Sequence, residues 1–215
     1  MKIAIPDLIS NSYFPVIAAV ELGCFRDEGL DVELELVVPV ENALAALKDG
    51  SREFLGCSSH LVVGGFPEWR GAKLLCAQSQ GMYWFMVMRS DLKAAPGDLG
   101  ALKGRRIGAA YWVGMALKQL LRERGIDPER DGIEISPIPG AHGAGMSFGV
   151  MAAQALADGR IDGFWANGMG AELAVRRGVG TVVLDARRDP GVPNYTMASV
   201  VASDRLIETK PGVAA

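Results

Sequence analysis

One pattern of residues occurs twice in this chain. Ala46-Leu47-Lys48-Asp49-Gly50, followed by Arg52-Glu53-Phe54-Leu55-Gly56, returns 109 residues later. The second copy is Ala155-Leu156-Ala157-Asp158-Gly159, followed by Ile161-Asp162-Gly163-Phe164-Trp165. Around it, Gly29-Leu30-Asp31 is echoed by Gly125-Ile126-Asp127. Arg70-Gly71 before Leu74-Leu75 is echoed by Arg177-Gly178 before Val182-Val183-Leu184. A strand–helix plan used twice predicts two similar α/β lobes facing each other, and clefts between lobes are preferred places for small molecules.

The bulk properties narrow the partners. With 215 residues there is room for one large or two small domains. The net charge is −3 and the basic residues are scattered, so nucleic acid is not an expected partner. The longest strongly apolar run, Met82 to Met88, is too short to span a bilayer. Met1 opens directly into Lys2-Ile3-Ala4-Ile5, a first strand, so no targeting segment is visible. The expectation is a cytosolic chain, or one whose export signal was left off or cleaved. Cys24, Cys57 and Cys76 are odd in number and lack paired spacing, which argues against a disulfide framework. No CxxC and no His/Cys cluster with ligand spacing is present, so neither metal nor cofactor is expected. The three cysteines read as small, mostly buried apolar residues.

Periodicity supplies the elements. Strands are expected at Lys2–Ile5, Val32–Val38, Glu53–Cys57 and Lys73–Ala77, and the plan then restarts. The second set is Met82–Met88, Arg106–Ala109, Ile133–Ile138, Ile161–Trp165 and Thr181–Asp185, with Thr196–Ala202 carrying the chain back. Helices fall between them. Phe14, Ile17, Val20 and Cys24 form one stripe, with Pro15 near the start and Gly23 and Gly29 breaking the pattern near its end. Glu41–Lys48, an irregular Leu61–Trp69, Met146–Leu156 and Met169–Arg177 follow the same logic. Tyr111 to Gly114 reads as a turn before a face of Leu117, Leu120 and Leu121; Leu99 and Leu102 anchor the loop over Ala94–Gly104. Strands alternating with short helices mean βαβ units and mainly parallel sheets. Right-handed crossovers then gather the strand-to-helix loops at one sheet edge, where open α/β sheets bind ligands. Those loops are Asp7–Tyr13, Cys57–His60, Ala110–Gly114, Gly140–Gly145 and Ala166–Gly170.

The repeat aligns Ser58-Ser59 with Asn167-Gly168, each after the third strand of its lobe. Polar side chains and free N–H groups at a helix start favour anions, although helix capping alone accounts for the same residues. Asn11, Ser12 and Tyr13 follow the first strand, and Tyr111-Trp112 holds the matching place. Trp84, Trp165 and Tyr195 fall near other strand ends. Such aromatics suit either a cleft wall or packing between lobes. Cys57 and His60 are three residues apart with no evident orienting group, a poor basis for a catalytic pair. Gly140-Ala141-His142-Gly143-Ala144-Gly145 fails the dinucleotide fingerprint, because the third glycine would fall on Phe148. It reads as a flexible rim.

The opening Ser12-Tyr13-Phe14-Pro15-Val16-Ile17-Ala18-Ala19-Val20-Glu21-Leu22-Gly23-Cys24-Phe25, followed by Glu28-Gly29-Leu30-Asp31-Val32-Glu33, resembles the solute-binding proteins of the SsuA/THI5-like (NMT1) family. The motif Ala46–Gly50 to Cys57-Ser58 and the crossover Met86-Val87-Met88-Arg89-Ser90-Asp91 fit as well. The resemblance covers most of residues 3 to 210. It implies a type II periplasmic-binding-protein fold: two α/β lobes with mainly parallel sheets, joined by two crossover strands. Lobe one would be residues 1–85, completed by about 198–215; lobe two would be 90–190; the crossovers would be 82–89 and 194–202. Relatives deliver sulfonates, nitrate, pyrimidine precursors or aromatic acids to the permease of an ABC importer, which implies a periplasmic or exported protein. Family members usually run to about 300 residues, where a second return to lobe one is expected. This chain stops at Ala215 as Leu206, Ile207 and Val213 begin a helix, so a shortened chain is expected, or else an apolar patch on lobe one.

The expected function is therefore solute binding by hinge closure around a small organic molecule or anion, without catalysis. Asn11, Ser12, Ser58, Ser59 and Asn167 would supply hydrogen bonds, and Tyr13, Trp84, Tyr111, Trp112 and Tyr195 the walls. Arg105 and Arg106 precede a strand and face away from this edge. The rival is an enzyme on the same fold, of the thiamin-pyrimidine or menaquinone-precursor type, using His60 or His142. The cysteine-rich motif of the yeast-type pyrimidine synthases does not occur here. A third possibility is a cytosolic ligand sensor.

Overall fold

The strand–helix alternation is realised twice. A computed structural model describes residues 1–138, 147–189 and 196–214. The chain forms two units, Met1–Gln80 with Thr196–Ala215, and Gly81–Tyr195. The first contains β1 (Lys2–Ile5), α1 (Phe14–Glu21), α2 (Cys24–Asp27), β2 (Glu33–Leu36), α3 (Val40–Asp49), β3 (Phe54–Ser58), α4 (Ser59–Gly65) and β4 (Ala72–Ala77). The second contains β5 (Trp84–Arg89), β6 (Arg106–Gly108), α5 (Tyr111–Glu123), β7 (Glu134–Ser136), α6 (Phe148–Ala157), β8 (Gly163–Asn167), α7 (Gly168–Arg176) and β9 (Gly180–Asp185). The first unit is then joined by β10 (Ala198–Ser203), α8 (Asp204–Thr209) and α9 (Pro211–Ala214).

The two sheets share one plan. Their strand orders are β2-β1-β3-β10-β4 and β7-β6-β8-β5-β9. In each, β1 or β6 pairs in parallel with both neighbours, while β10 or β5 runs antiparallel between two strands. The repeat holds at single-residue level. Ala198 opposes Ser58 as Trp84 opposes Asn167. The register shifts between Val200 and Val201 in one sheet and between Met86 and Val87 in the other, the same place in both. A bulge bends a strand and adds twist. Each sheet thus leaves its loops along one carboxyl edge.

Cores form where the alternation points them. In unit 1, Ile3, Ile5 and Phe54 meet Val16 of α1 and Leu206 of α8. In unit 2, Val87, Phe164 and Ala166 lie under Ala152, Ala153, Leu156, Ala171 and Ala174 of α6 and α7. Small residues let those two helices touch: a Cβ on Gly170 would stand 2.7 Å from the Gly149 Cα. Trp165, fully buried, belongs to the other face of the sheet, 5.9 Å from the Trp84 ring.

Several expectations need correcting. The apolar stripe does not lie on one helix: Gly23, expected to break the pattern, takes φ 80° and leaves Cys24 in the separate α2. The buried residue of α1 is Val16, while Phe14 is exposed. Residues 111–114 are no turn; extended Ala110 precedes a helix that starts at Tyr111, and Val113 and Gly114 already face the core. Of the cysteines, Cys57 alone is buried, and Cys24 and Cys76 are exposed. A small disulfide reagent is therefore expected to label Cys24 and Cys76 at once and Cys57 only after denaturation. Three fast thiols in the native protein would contradict this burial.

At the opposite sheet edge the repeat places matched carboxylates. The Lys2 amide donates to Glu53 Oε2 at 2.9 Å, and the Arg106 amide donates to Asp162 Oδ2 at 3.0 Å. Arg106 and Arg89 also approach Asp162, at 3.3 and 3.5 Å. Burial pushes the Asp162 carboxyl up, but the Arg106 amide and the two guanidinium groups outweigh it and hold its pKa below the usual range. A depressed carboxylate contributes stability above its unfolded pKa, about 3.9, and loses it as pH falls through the folded value. Asp162→Asn is expected to be less stable than wild type at pH 7, with the gap closing below about pH 4 in urea melts. A gap constant down to about pH 2 would contradict the assignment.

Candidate functional site

The carboxyl edge of unit 1 is built by the loops after β1 and β3, which are neighbouring strands. The first loop is fixed internally. Asp7 Oδ1 accepts from the Ile9 and Ser10 amides at 2.7 and 2.9 Å, and the Ser10 hydroxyl donates to Ser12 Oγ at 2.9 Å. Ser12 is buried, Asn11 is exposed, and Tyr13 leans on the core beside β1. After β3 the chain passes directly into α4. Ser58 and Ser59 do not serve the helix as side-chain caps. The Ser58 Oγ lies 3.2 Å from His60 Nδ1, and the Ser59 hydroxyl donates to Ser199 Oγ at 3.1 Å. The Ser59 amide is taken by the Met197 carbonyl at 2.6 Å.

His60 and Cys57 are both shaped by burial. Burial lowers the His60 pKa, so its ring is neutral at pH 7 and its Nδ1 suits a Ser58 hydroxyl donor. Burial pushes the Cys57 thiol far above its ordinary value, so it does not provide a thiolate nucleophile. Two residues here escaped the sequence reading. Gln78 is 7% exposed and donates through Nε2 to the Ser199 carbonyl at 2.9 Å. Its Oε1, and the nearby-in-sequence Ser79 hydroxyl, are buried with no hydrogen-bond partner among the described residues. Ser199 is a small polar residue inside an apolar antiparallel strand, a signal available in the sequence.

The carboxyl edge of unit 2 is richer in aromatic rings. Asn167 ends β8, is buried, and makes no side-chain cap for α7. A Cβ on Gly149 would stand 3.2 Å from its Oδ1, so the starts of α6 and α7 lie side by side. Ser147, directly before α6, is buried with an unpartnered hydroxyl among the described residues. Trp84 faces Asn167 across the β5–β8 pair. Tyr111 is exposed at the start of α5 and meets the Trp112 ring edge-on, with centroids 5.0 Å apart. The indole N–H groups of Trp84, Trp112 and Trp165 are buried and find no acceptor among the described residues. An indole only donates, and a buried donor left unpaired costs about 1–3 kcal/mol. Tyr195, His142 and the Gly140–Gly145 loop lie outside the described residues.

Arg187 sits 4.7 Å over the Phe85 ring and binds Asp185 through two bonds of 2.9 and 2.8 Å. Phe85 in turn borders Gly168, the first residue of α7. This cation was not foreseen from the sequence. Arg106 bonds at the opposite edge, as its place at the start of the strand suggested. Among the described residues no group of three His, Cys, Asp or Glu side chains could hold a metal, and no helix is long and apolar enough to cross a membrane.

Two α/β units of equal strand order, each with one antiparallel strand, make this a type II periplasmic-binding-protein fold. The chain belongs to the NMT1/THI5-like family, whose model matches residues 10–215. Among solved structures it is similar to the periplasmic nitrate-binding protein NrtA from Synechocystis PCC 6803, with TM-score 0.77 and 16% identity, covering 99% of this chain and 57% of that one. It is also similar to the periplasmic aliphatic sulphonate-binding protein SsuA from Escherichia coli, at TM-score 0.70 and 13% identity, with 98% and 67% covered. A putative periplasmic sulfonate-binding SsuA from Methylobacillus flagellatus KT gives 0.67 and 18%, with 99% and 64% covered. The chain thus spans about two thirds or less of these relatives, and at such identity the likeness is one of fold. No curated protein matches it.

Proposed function

We propose that this chain is the solute-binding component of an ABC importer, working outside the cytoplasm and binding without chemical change. Its ligand is a small organic molecule or anion. Ser12, Ser58, Ser59 and Asn167 supply hydrogen bonds, Asn11 lies beside them, and Tyr13, Trp84, Tyr111, Trp112 and Tyr195 supply apolar surface. The observation that carries the reading is the matched placement of Ser58-Ser59 and Asn167-Gly168, at the end of the same strand in two sheets of one plan. Neither Ser58 nor Asn167 spends its side chain on capping. The family and the sulfonate- and nitrate-binding relatives support binding as the role.

A thermal-shift panel of sulfonates, nitrate, aromatic carboxylates and pyrimidines tests this, with mass spectrometry of the mixtures. A ligand at a hundred times its Kd adds about 2.7 kcal/mol of stability. The expected result is a clear shift with the ligand recovered intact. A new chemical product that disappears in His60→Ala would favour the enzyme reading, which the Ser58–His60 contact of 3.2 Å keeps in view.

A further inference from the structure

We propose that unit 1 carries a separate site, at the sheet edge opposite the ligand loops, for a small anion with an aromatic or apolar body. A cavity of about 430 Å³ opens there between the ends of α3 and α4, the start of β4 and the end of β10. That is within the size range of pockets that take small molecules. Its floor is Leu47, Phe66 and Pro67, and its rim carries Lys48, Arg70 and Arg205.

The cations on this rim are not neutralised by a carboxylate of the cavity lining. Asp204 is the carboxylate in the lining, and it is committed elsewhere: it accepts from the Gly71 amide at 2.7 Å and pairs with Lys73 at 3.1 Å. Among the described residues, Lys48 and Arg205 pair with no carboxylate. Lys48 stands in the last turn of α3, where a cation suits the helix dipole, yet its ammonium lies 5.2 Å over the Phe66 ring at the cavity floor. Arg70 has only an exposed partner, Glu68 at 3.3 Å, a kind of pair that water readily replaces.

The repeat provides an internal control. In unit 1, Arg205 Nη1 lies 3.6 Å from where a Cβ on Gly50 would be. In unit 2, Arg89 Nη1 lies 3.7 Å from the same point on Gly159. Arg89, however, is neutralised by Asp91 at 2.7 Å and Asp162 at 3.5 Å. The same sheet corner is therefore closed by internal ion pairs in one unit and left cationic above an apolar floor in the other. An anionic head between Lys48 and Arg205, with a ring laid on Phe66 and Pro67, satisfies both features.

The test is a titration of the ¹⁵N-labelled chain with naphthalene-1-carboxylate, read at the amides of Gly50, Gly65 and Gly71, which line the cavity. Saturable shifts at these three glycines are expected. Affinity should fall about tenfold or more in the Lys48→Ala, Arg205→Ala double variant and for the neutral naphthalene-1-carboxamide. Both side chains are exposed, so the variant should keep the wild-type melting temperature. Absence of saturable shifts there, or equal affinity in the double variant or for the amide, would overturn the proposal. Neither outcome bears on the loops at the carboxyl edges, because the readout is local to this corner.

Discussion

Trp165→Ala is expected to cost unit 2 about 4 kcal/mol, within the range for deleting a large buried aromatic. Trp165 is fully buried on β8 and meets Trp84 at 5.9 Å, so truncation removes both its own burial and the support of that ring. The pairing of rings alone is worth about 0.5–1.5 kcal/mol beyond area. Its indole N–H has no acceptor among the described residues, so Trp165→Phe keeps most of the packing and removes an orphaned donor. The phenylalanine variant should therefore cost less than about 1.5 kcal/mol. Urea melts measure both, and hydrogen exchange locates the effect: amides of β5 and β8 should lose protection while β1 and β3 keep theirs. A loss below about 1 kcal/mol for Trp165→Ala would mean the ring is not packed as described.

Gly170→Val is the second large effect. A Cβ at this position would lie 2.7 Å from both Cα and O of Gly149, and 2.9 Å from its carbonyl carbon. These are backbone atoms, so no rotamer change relieves the clash; α6 and α7 must separate. Replacing glycine inside a helix normally gains up to about 1 kcal/mol of propensity. Overpacking costs about 1–3 kcal/mol or more, and here it acts on the contact that sets two helix starts beside Asn167. We expect a net loss of about 3 kcal/mol with the valine and a smaller one with alanine, together with weaker ligand binding. A valine variant as stable as wild type would show that the helices do not touch there.

The sequence carried most of the fold because its repeat sits on buried, patterned segments. The offset linking Phe54–Ser58 to Gly163–Asn167 predicted two strands of one plan, and both are present with the same neighbours. Periodicity failed where backbone geometry overrode it. The stripe from Phe14 to Cys24 did not itself mark the helix end; Gly23, the expected breaker, sets it with φ 80° and puts Cys24 in α2. Gly114 looked like a turn residue, but it is buried inside α5 because a close neighbour, Ile135, leaves room for no more than a small group. Cys76 was assigned to the interior on type alone, yet β4 is an edge strand and leaves it exposed. For the site, strand-end position was enough to nominate Ser58, Ser59 and Asn167. It was blind to partners arriving from elsewhere in the chain, as Gln78 and Ser199 do, and to Arg187, whose place depends on a ring more than a hundred residues away in Phe85.

The proposed binding role rests most on the matched strand-end residues, Ser59 after β3 and Asn167 at the end of β8. The direct measurement is calorimetric titration of the best ligand from the panel into wild type, Ser59→Ala and Asn167→Ala. Losing one hydrogen bond to a buried ligand group should weaken binding by about tenfold in each variant, with little change in melting temperature for Ser59→Ala. If either substitution leaves the affinity unchanged, that residue does not contact the ligand, and the proposed role of the matched strand-end pair is wrong.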